Sequence, residues 1–364
     1  MLYIKFQEII LMALLSLFGG HMHKRNYPMI DIMRIIASIL VIGIHTYPFL
    51  QISPSLDFIT THIIGRIAVP FFFMTTAFFL FEHGEPTLQR LKKTLNQLGI
   101  IYLICIFIYI PIQIYNNTLI QSVPNLIQDI FMDGTFYHLW YLPATLIGIS
   151  LVYIIYKYCS LKLGFILVII LYIIGLGGDS YYGFSIQIPI LKSLYNSIFQ
   201  FCEYTRNGLF FAPIFLWLGA YIAQHQRRIS RYHWYITLCI SFLFMAGETI
   251  ILNSYNIPKH DAMNIFLPMS MYLLFMIIIS YTGQRYPRCK DLSLMIYIIH
   301  PMMIVVTRML GKILHLETYF IDNHLIHFCI VTLLSIICSY IFIFIKKGMI
   351  QHGKTQVPNR SKLG

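Results

Sequence analysis

This sequence predicts an all-α fold, a polytopic membrane helix bundle of about ten transmembrane helices. Three observations lead there. Apolar residues make up 58% of the 364 and charged residues 11%, against roughly 25% charged in an ordinary soluble domain, whose core cannot absorb so much apolar surface. The excess is gathered into unbroken runs such as 98–115 and 325–345, each able to cross about 30 Å of hydrocarbon as a helix. Polarity nowhere alternates residue by residue, as the strands of a membrane β-barrel require.

Reading the runs between polar breaks places spans at 29–49, 58–81, 97–115, 139–156, 163–176, 209–223, 234–252, 265–281, 292–310 and 325–345, the fifth and sixth being short. With the N-terminus in the cytoplasm, eighteen cations fall on the inner side: Lys24, Arg25, Arg90, Lys92, Lys93, Lys157, Lys162, Arg227, Arg228, Arg231, Arg285, Arg288, Lys290, Lys346, Lys347, Lys354, Arg360 and Lys362. Four fall in outer loops, Lys192, Arg206, Lys259 and Lys312. An excess of Lys and Arg on one face orients a multi-pass chain with that face inward, so both termini are expected on the cytoplasmic side of a bacterial plasma membrane. The long loops 116–138 and 177–208 then face outward. The net charge of +12 does not point to nucleic acid, because the cations lie between apolar runs and not on a folded basic face.

Residues 1–21 read as an N-terminal extension that need not be native. Ile9 to Phe18 is too short to span, no small-residue cleavage site follows it, and Met22, behind Gly19 and Gly20, is the expected start. The membrane domain is assigned to 22–348 and a basic cytoplasmic tail to 349–364. The seven cysteines show neither C-x-x-C nor zinc spacing and are expected as free thiols packed like small apolar groups. His324 and His327 share a helix face without an Asp, Glu or Cys in register, so no metal site is expected.

A charged side chain inside a span costs roughly 2.5–3.5 kcal/mol to insert, which makes each one a functional candidate. The first span carries Asp31, Arg34 and His45. Arg34 and His45 lie close to three whole turns apart, so they share one helix face about 16 Å apart along the axis, and Asp31 sits one turn before Arg34, in reach of a pair. A ligand threaded through the bundle would suit an anion-binding cation at the inner end and a titratable base at the outer end. The same residues also fit a snorkelling anchor and an interfacial histidine. In the second span Arg66 precedes Val69-Pro70-Phe71-Phe72-Phe73. It lies too deep to snorkel and is expected to be ion-paired or ligand-bound, with Glu248 as its most plausible acidic partner. His138-Leu139-Trp140-Tyr141-Leu142-Pro143 opens the fourth span and Arg206-Asn207-Gly208 the sixth. His138 is a candidate beside His45, Trp140 suits an interfacial belt, and Arg206 an anchor or a cavity-lining cation. His300-Pro301 interrupts the ninth span, where a pore-lining or catalytic role is expected for the histidine.

Arg34 followed by ten residues and His45 resembles the R-X10-H pattern of the acyltransferase-3 family of ten-helix membrane proteins, over nearly the whole chain. The segments Arg66-Ile-Ala-Val-Pro-Phe-Phe-Phe, Tyr137-His-Leu-Trp-Tyr-Leu-Pro, Arg206-Asn-Gly-Leu-Phe-Phe-Ala-Pro and Tyr297-Ile-Ile-His-Pro look closer still to the membrane module of VanT-type serine racemases of vancomycin resistance. The resemblance implies acyl groups taken from cytosolic acyl-CoA, such as acetyl-CoA, and delivered to an extracytoplasmic hydroxyl. In that scheme His45 is the catalytic base and Arg34, Arg90 and Lys93 hold the donor. Asp31, Arg66, His138, Trp140, Arg206, Glu248 and His300 would support or line the cavity, and no resident cofactor is implied. Arg90-x-Lys92-Lys93 stands where the family has R-x-x-R, and lysine lacks the bidentate fork of arginine. VanT-type proteins continue into a pyridoxal-phosphate racemase domain, and this sequence stops after the tail. It is therefore expected not to racemise serine alone but to act with a separate cytosolic racemase chain. L-serine uptake or delivery to that partner, without acyl transfer, is the alternative activity.

Overall fold

The computed structural model describes residues 26–116, 118, 122–225 and 231–355. The extension 1–21, the Met22 start, Lys24, Arg25, Arg227, Arg228 and the tail from residue 356 lie outside the described residues. The long helices are α1 (Pro28–Thr46), α2 (Pro54–Phe81), α3 (Leu88–Tyr115), α4 (Tyr141–Tyr158), α5 (Leu161–Gly178), α6 (Ala212–Gln224), α7 (Arg231–Ser254), α8 (Leu267–Ser280), α9 (Pro287–Ile313) and α10 (His324–Thr355). No strand occurs among the described residues. Eight of these helices are long and apolar enough to cross a bilayer, while α6 and α8, of 13 and 14 residues, are apolar but shorter. The chain is an all-α, multi-pass membrane protein. All seven cysteines are free.

Several helix ends differ from the apolar runs because capping, not apolarity, sets them. α3 begins well before residue 97: the Thr87 hydroxyl accepts from the Arg90 amide at 3.3 Å, so the charged turn holding Arg90, Lys92 and Lys93 is helical. Ser160 caps α5 on the Leu163 amide at 3.3 Å, and the helix that looked short reaches 18 residues. α10 continues past Lys346 to Thr355 and takes in part of the expected tail. The long loops expected on the outside are not bare either, since short helices occupy Val123–Gln128, Tyr182–Ser185 and Pro189–Ile198.

α2 is irregular at its start, with a π-helical stretch Ile59–Ile64 and a tight turn Gly65–Ile67 before regular helix resumes at Ala68. Pro70 accounts for part of this, because it has no amide proton for the carbonyl four residues back and its ring crowds that carbonyl. The hydroxyls of Thr60 and Thr61 bond back to the Asp57 carbonyl at 2.9 and 2.7 Å, which bends the same segment.

The described residues fall into two compact units. The first comprises 26–30 and 62–283, and its densest packing is between α2 and α6. Nearly every residue of α6 is buried, as expected of a helix that is apolar all round. Protein and not lipid surrounds it, so it need not match the hydrocarbon thickness. Gly219 permits the contact: a Cβ there would lie 2.3 Å from the Met74 carbonyl oxygen. Phe73, Tyr141, Phe211 and Phe215 fill the space around it, with Phe73 5.0 Å from Tyr141 and Phe211 5.0 Å from Phe215 between ring centroids. The second unit comprises 31–61 and 284–355. Its core is Ile42 of α1, Leu292, Ile296, Met303 and Ile304 of α9, and Val331 of α10. The Ser38 hydroxyl of α1 bonds the Ser293 carbonyl at 3.3 Å.

Gly219→Ala is expected to force α2 and α6 apart and cost about 1–3 kcal/mol by overpacking. Gly99→Ala, with open space around it, should be neutral or slightly stabilising. Thermal midpoints of the two purified variants, followed by fluorescence-detected gel filtration, check this contrast.

Candidate functional site

In the second unit, α1 carries the R-X10-H pair as expected. Arg34 Nη1 donates to Asp31 Oδ1 at 2.9 Å, and both side chains are buried. Asp31 Oδ2 accepts from the Tyr286 amide at 3.1 Å and lies 3.8 Å from Arg285 Nε. Two guanidinium groups thus face one carboxylate. Arg285 counted only as an inner-loop cation in the sequence, and nothing there ties it to Asp31.

At the other end of α1, His45 stacks on His300 of α9, with centroids 5.7 Å apart and planes at 22°. The reason His300 stands there is local. Pro301 cannot donate to the carbonyl of Tyr297, and His300 Nδ1 lies 2.9 Å from that oxygen and 3.1 Å from the Ile296 carbonyl. A ring nitrogen facing two carbonyl oxygens donates its proton, so the neutral ring keeps its lone pair on Nε2. The histidine predicted as pore-lining or catalytic therefore repairs the proline break and fixes its own tautomer beside His45.

The remaining candidates belong to the first unit. Arg66 was expected to pair with Glu248, and the structure corrects this. Arg66 Nη2 donates to Asp261 Oδ1, and the other carboxylate oxygen of Asp261 is held by His62 Nδ1. Burial alone would raise the Asp261 carboxyl, but the charge of Arg66 and the contact with His62 hold it well below the usual carboxylate range. Glu248 instead accepts the Tyr181 hydroxyl at 2.9 Å and the amides of Ile265 and Phe266 at 2.7 and 3.3 Å. It thereby satisfies the amides that lead into α8, and it lines an apolar cleft of 810 Å³ with Tyr181, Leu243, Phe244 and Phe266. Asp261 was missed because it sits in the short segment between α7 and α8, six positions before α8 begins, at no spacing that links it to Arg66.

Arg206 lies between two aromatic faces, its guanidinium carbon 5.1 Å from the Trp140 ring centre and 4.7 Å from that of Tyr204. Its loop is fixed by acceptors on both sides. Asp133 takes the amides of Glu203 and Tyr204 at 2.7 and 3.2 Å, and Asn207 Oδ1 takes those of Leu209 and Phe210 at 3.0 and 3.1 Å. Arg206-Asn207-Gly208 is thus a capped turn into α6 that aims its arginine at Trp140. His138, buried, packs against Tyr109 at 4.8 Å and Phe136 at 5.7 Å, within an aromatic cluster. Asp179, just past the end of α5, is almost fully buried and lies outside every apolar run, so no sequence signal marks it. Its Oδ1 accepts from the Met263 amide at 2.9 Å and the Ser180 hydroxyl at 3.0 Å. Burial pushes its carboxyl up to about 7 against these two hydrogen bonds and the charges of Arg206 and Arg66. Arg90 Nη2 bonds the Phe79 carbonyl at 2.7 Å, close to the end of α2, while Lys93 is exposed. Arg90 and Lys93 stand in the first unit and Arg34 in the second.

The acyltransferase-3 family model, described as an acyltransferase domain, matches residues 27–344. The chain belongs to the acyltransferase-3 family. This acyltransferase-3 protein is 38% identical over 321 residues to an amino-acid racemase of Enterococcus faecalis, covering 87% of the chain and 45% of the relative. A second E. faecalis amino-acid racemase is 36% identical, over 92% of the chain and 48% of the relative. A serine/alanine racemase of Enterococcus gallinarum is 33% identical, over 91% and 48%. The chain spans just under half the length of these curated relatives. No solved structure matches it.

Asp261→Asn would leave Arg66 as a buried charge without a full counter-charge, at an expected cost of about 3–5 kcal/mol. The Arg66→Gln/Asp261→Asn pair should recover most of that loss in a thermal-shift series. Asp179 gives a pH signature. Its native pKa stands above its unfolded one, so the native state binds the extra proton, and stability falls as pH rises from about 4 to about 7 and then levels off. Across that window the loss is about 4 kcal/mol at most. Asp179→Asn should flatten the decline and melt higher than wild type at pH 8, a comparison that midpoints collected at four or five pH values settle.

Proposed function

We propose that this protein is the membrane subunit of a VanT-type serine racemase system in a bacterial plasma membrane, with both termini in the cytoplasm, and that it brings L-serine inward for a separate cytosolic pyridoxal-phosphate racemase. The observation that carries this reading is the polar cluster at one end of the first unit, where Arg66, Asp261, Arg206 and Asp179 meet beside Trp140 and Tyr204. Charges of both signs, desolvated and held by backbone caps, suit a small zwitterion better than an acyl chain or a nucleotide. The racemase names of the relatives supply the amino-acid chemistry. On this reading the protein takes part in vancomycin resistance by feeding serine to cell-wall precursor synthesis.

A second reading is favoured by the contact of His45 with His300. There His45 acts as general base on an extracytoplasmic hydroxyl, and acyl-CoA supplies the acyl group from the cytoplasm, with Arg34 on the same helix drawing its phosphates. The ion pair of Arg34 with Asp31 commits part of that guanidinium already, which weakens this second reading.

Liposomes with labelled L-serine outside and acetyl-CoA inside separate the two. We expect serine to accumulate equally with wild type and His45→Ala, without release of CoA. Release of CoA that disappears in His45→Ala would overturn transport and establish acyl transfer.

A further inference from the structure

Between α5 and the loop that enters α6, two backbones come unusually close. A Cβ on Gly178 would lie 2.5 Å from Thr205 Cγ2, and the Thr205 hydroxyl bonds the Gly175 carbonyl at 2.8 Å. The next residue on each strand of this contact is charged: Asp179 follows Gly178, and Arg206 follows Thr205. Each carries an unsatisfied polar atom. Asp179 Oδ2 has no hydrogen-bond partner, although Oδ1 has two, and Arg206 Nε also has none; both atoms are out of contact with water. Among the described residues no carboxylate lies within ion-pair distance of Arg206. Of the other cations near, Arg66 is matched in charge by Asp261, although its Nε too lacks a partner, and Lys259 donates to the Glu203 carbonyl at 3.1 Å.

A buried acceptor or donor without a partner costs about 1–3 kcal/mol, and more when it is charged, so two groups of opposite sign that feel each other's charge but stand beyond ion-pair distance are both satisfied by one ligand that reaches each of them. An anion alone would leave the Asp179 oxygen unmet, and a cation alone would leave the arginine unmet. An α-amino acid carries both charges on one carbon. We propose that Arg206 and Asp179 are the two poles of a binding site for a small amino-acid zwitterion, Arg206 taking the carboxylate through Nε and Asp179 taking the ammonium on Oδ2. The inference rests on the amino-acid reading of the function above and names the groups that recognise the ligand.

The faces of Trp140 and Tyr204 keep the guanidinium in place. The segment joining α7 to α8 closes the site, since the amides of Lys259 and Met263 bond Asp179 at 3.0 and 2.9 Å and His260 packs edge-on against Tyr204 at 4.6 Å.

Equilibrium binding of labelled L-serine to the full chain in nanodiscs tests the assignment, with L-serine methyl ester, which lacks the carboxylate, and L-glycerate, which lacks the ammonium, as competitors. In wild type both competitors should be at least tenfold weaker than L-serine. Arg206→Lys should lower serine affinity at least tenfold, and Asp179→Asn should narrow the preference for serine over glycerate, at unchanged gel-filtration behaviour. If wild type binds serine but ester and glycerate compete equally well, or the variants bind like wild type, the two-pole site is overturned while the amino-acid reading stands. If wild type binds neither L-serine nor L-alanine, both fall.

Discussion

A guanidinium largely shut away from water must be given an opposite charge, and in this protein that constraint organises much of the first unit around Arg66. Its partner, Asp261, comes from the short segment between α7 and α8, so the ion pair ties α2 to a part of the chain far away in sequence. His62, one turn earlier on α2, holds the second carboxylate oxygen. In a low dielectric such a pair loses little to screening, and removing either partner exposes the other to the full cost of burial. The same segment supplies the amides that hold Asp179 and the two that Glu248 satisfies. One ion pair therefore anchors the strand of chain on which the neighbouring polar groups depend.

The backbone obeys a parallel rule, because hydrocarbon offers no hydrogen bonds to a broken helix. Where α9 is interrupted by Pro301, His300 answers the freed carbonyl from within the same turn. Where α2 approaches Pro70, the chain adopts wider and tighter turns, and threonine hydroxyls bond back to its carbonyls. In both places a polar side chain that looks like a functional outlier in the sequence also has a structural task. For His300 that task also fixes the ring that stacks on His45.

Much of this was legible beforehand, and the reason is the period of the helix. Arg34 and His45 share a face because eleven residues nearly complete three turns, and Asp31 pairs with Arg34 because three residues nearly complete one. Trp140 and Arg206 were marked as residues at span mouths, and the structure brings them into contact. What could not be read was any partner supplied from another segment. Glu248 was the acid expected beside Arg66 by its depth in a span, but depth says nothing of which way a helix faces, and Glu248 turns to the amides before α8. Asp179 and Asp261 carry no periodic signal at all, since each lies in a turn outside the apolar runs.

The sequence by itself determined that this chain is helical and embedded in a membrane, roughly where each helix runs, and that it resembles the acyltransferase-3 family, because apolar length and local spacing are properties of a single segment. Only the tertiary structure decided that the short α6 is enclosed by protein, which acid neutralises Arg66, and that the Gly178–Thr205 contact brings the segments of Asp179 and Arg206 together. Those outcomes depend on which faces of distant segments meet. Packing and the need to satisfy buried charge settle that together, and neither is written in the order of residues along one helix.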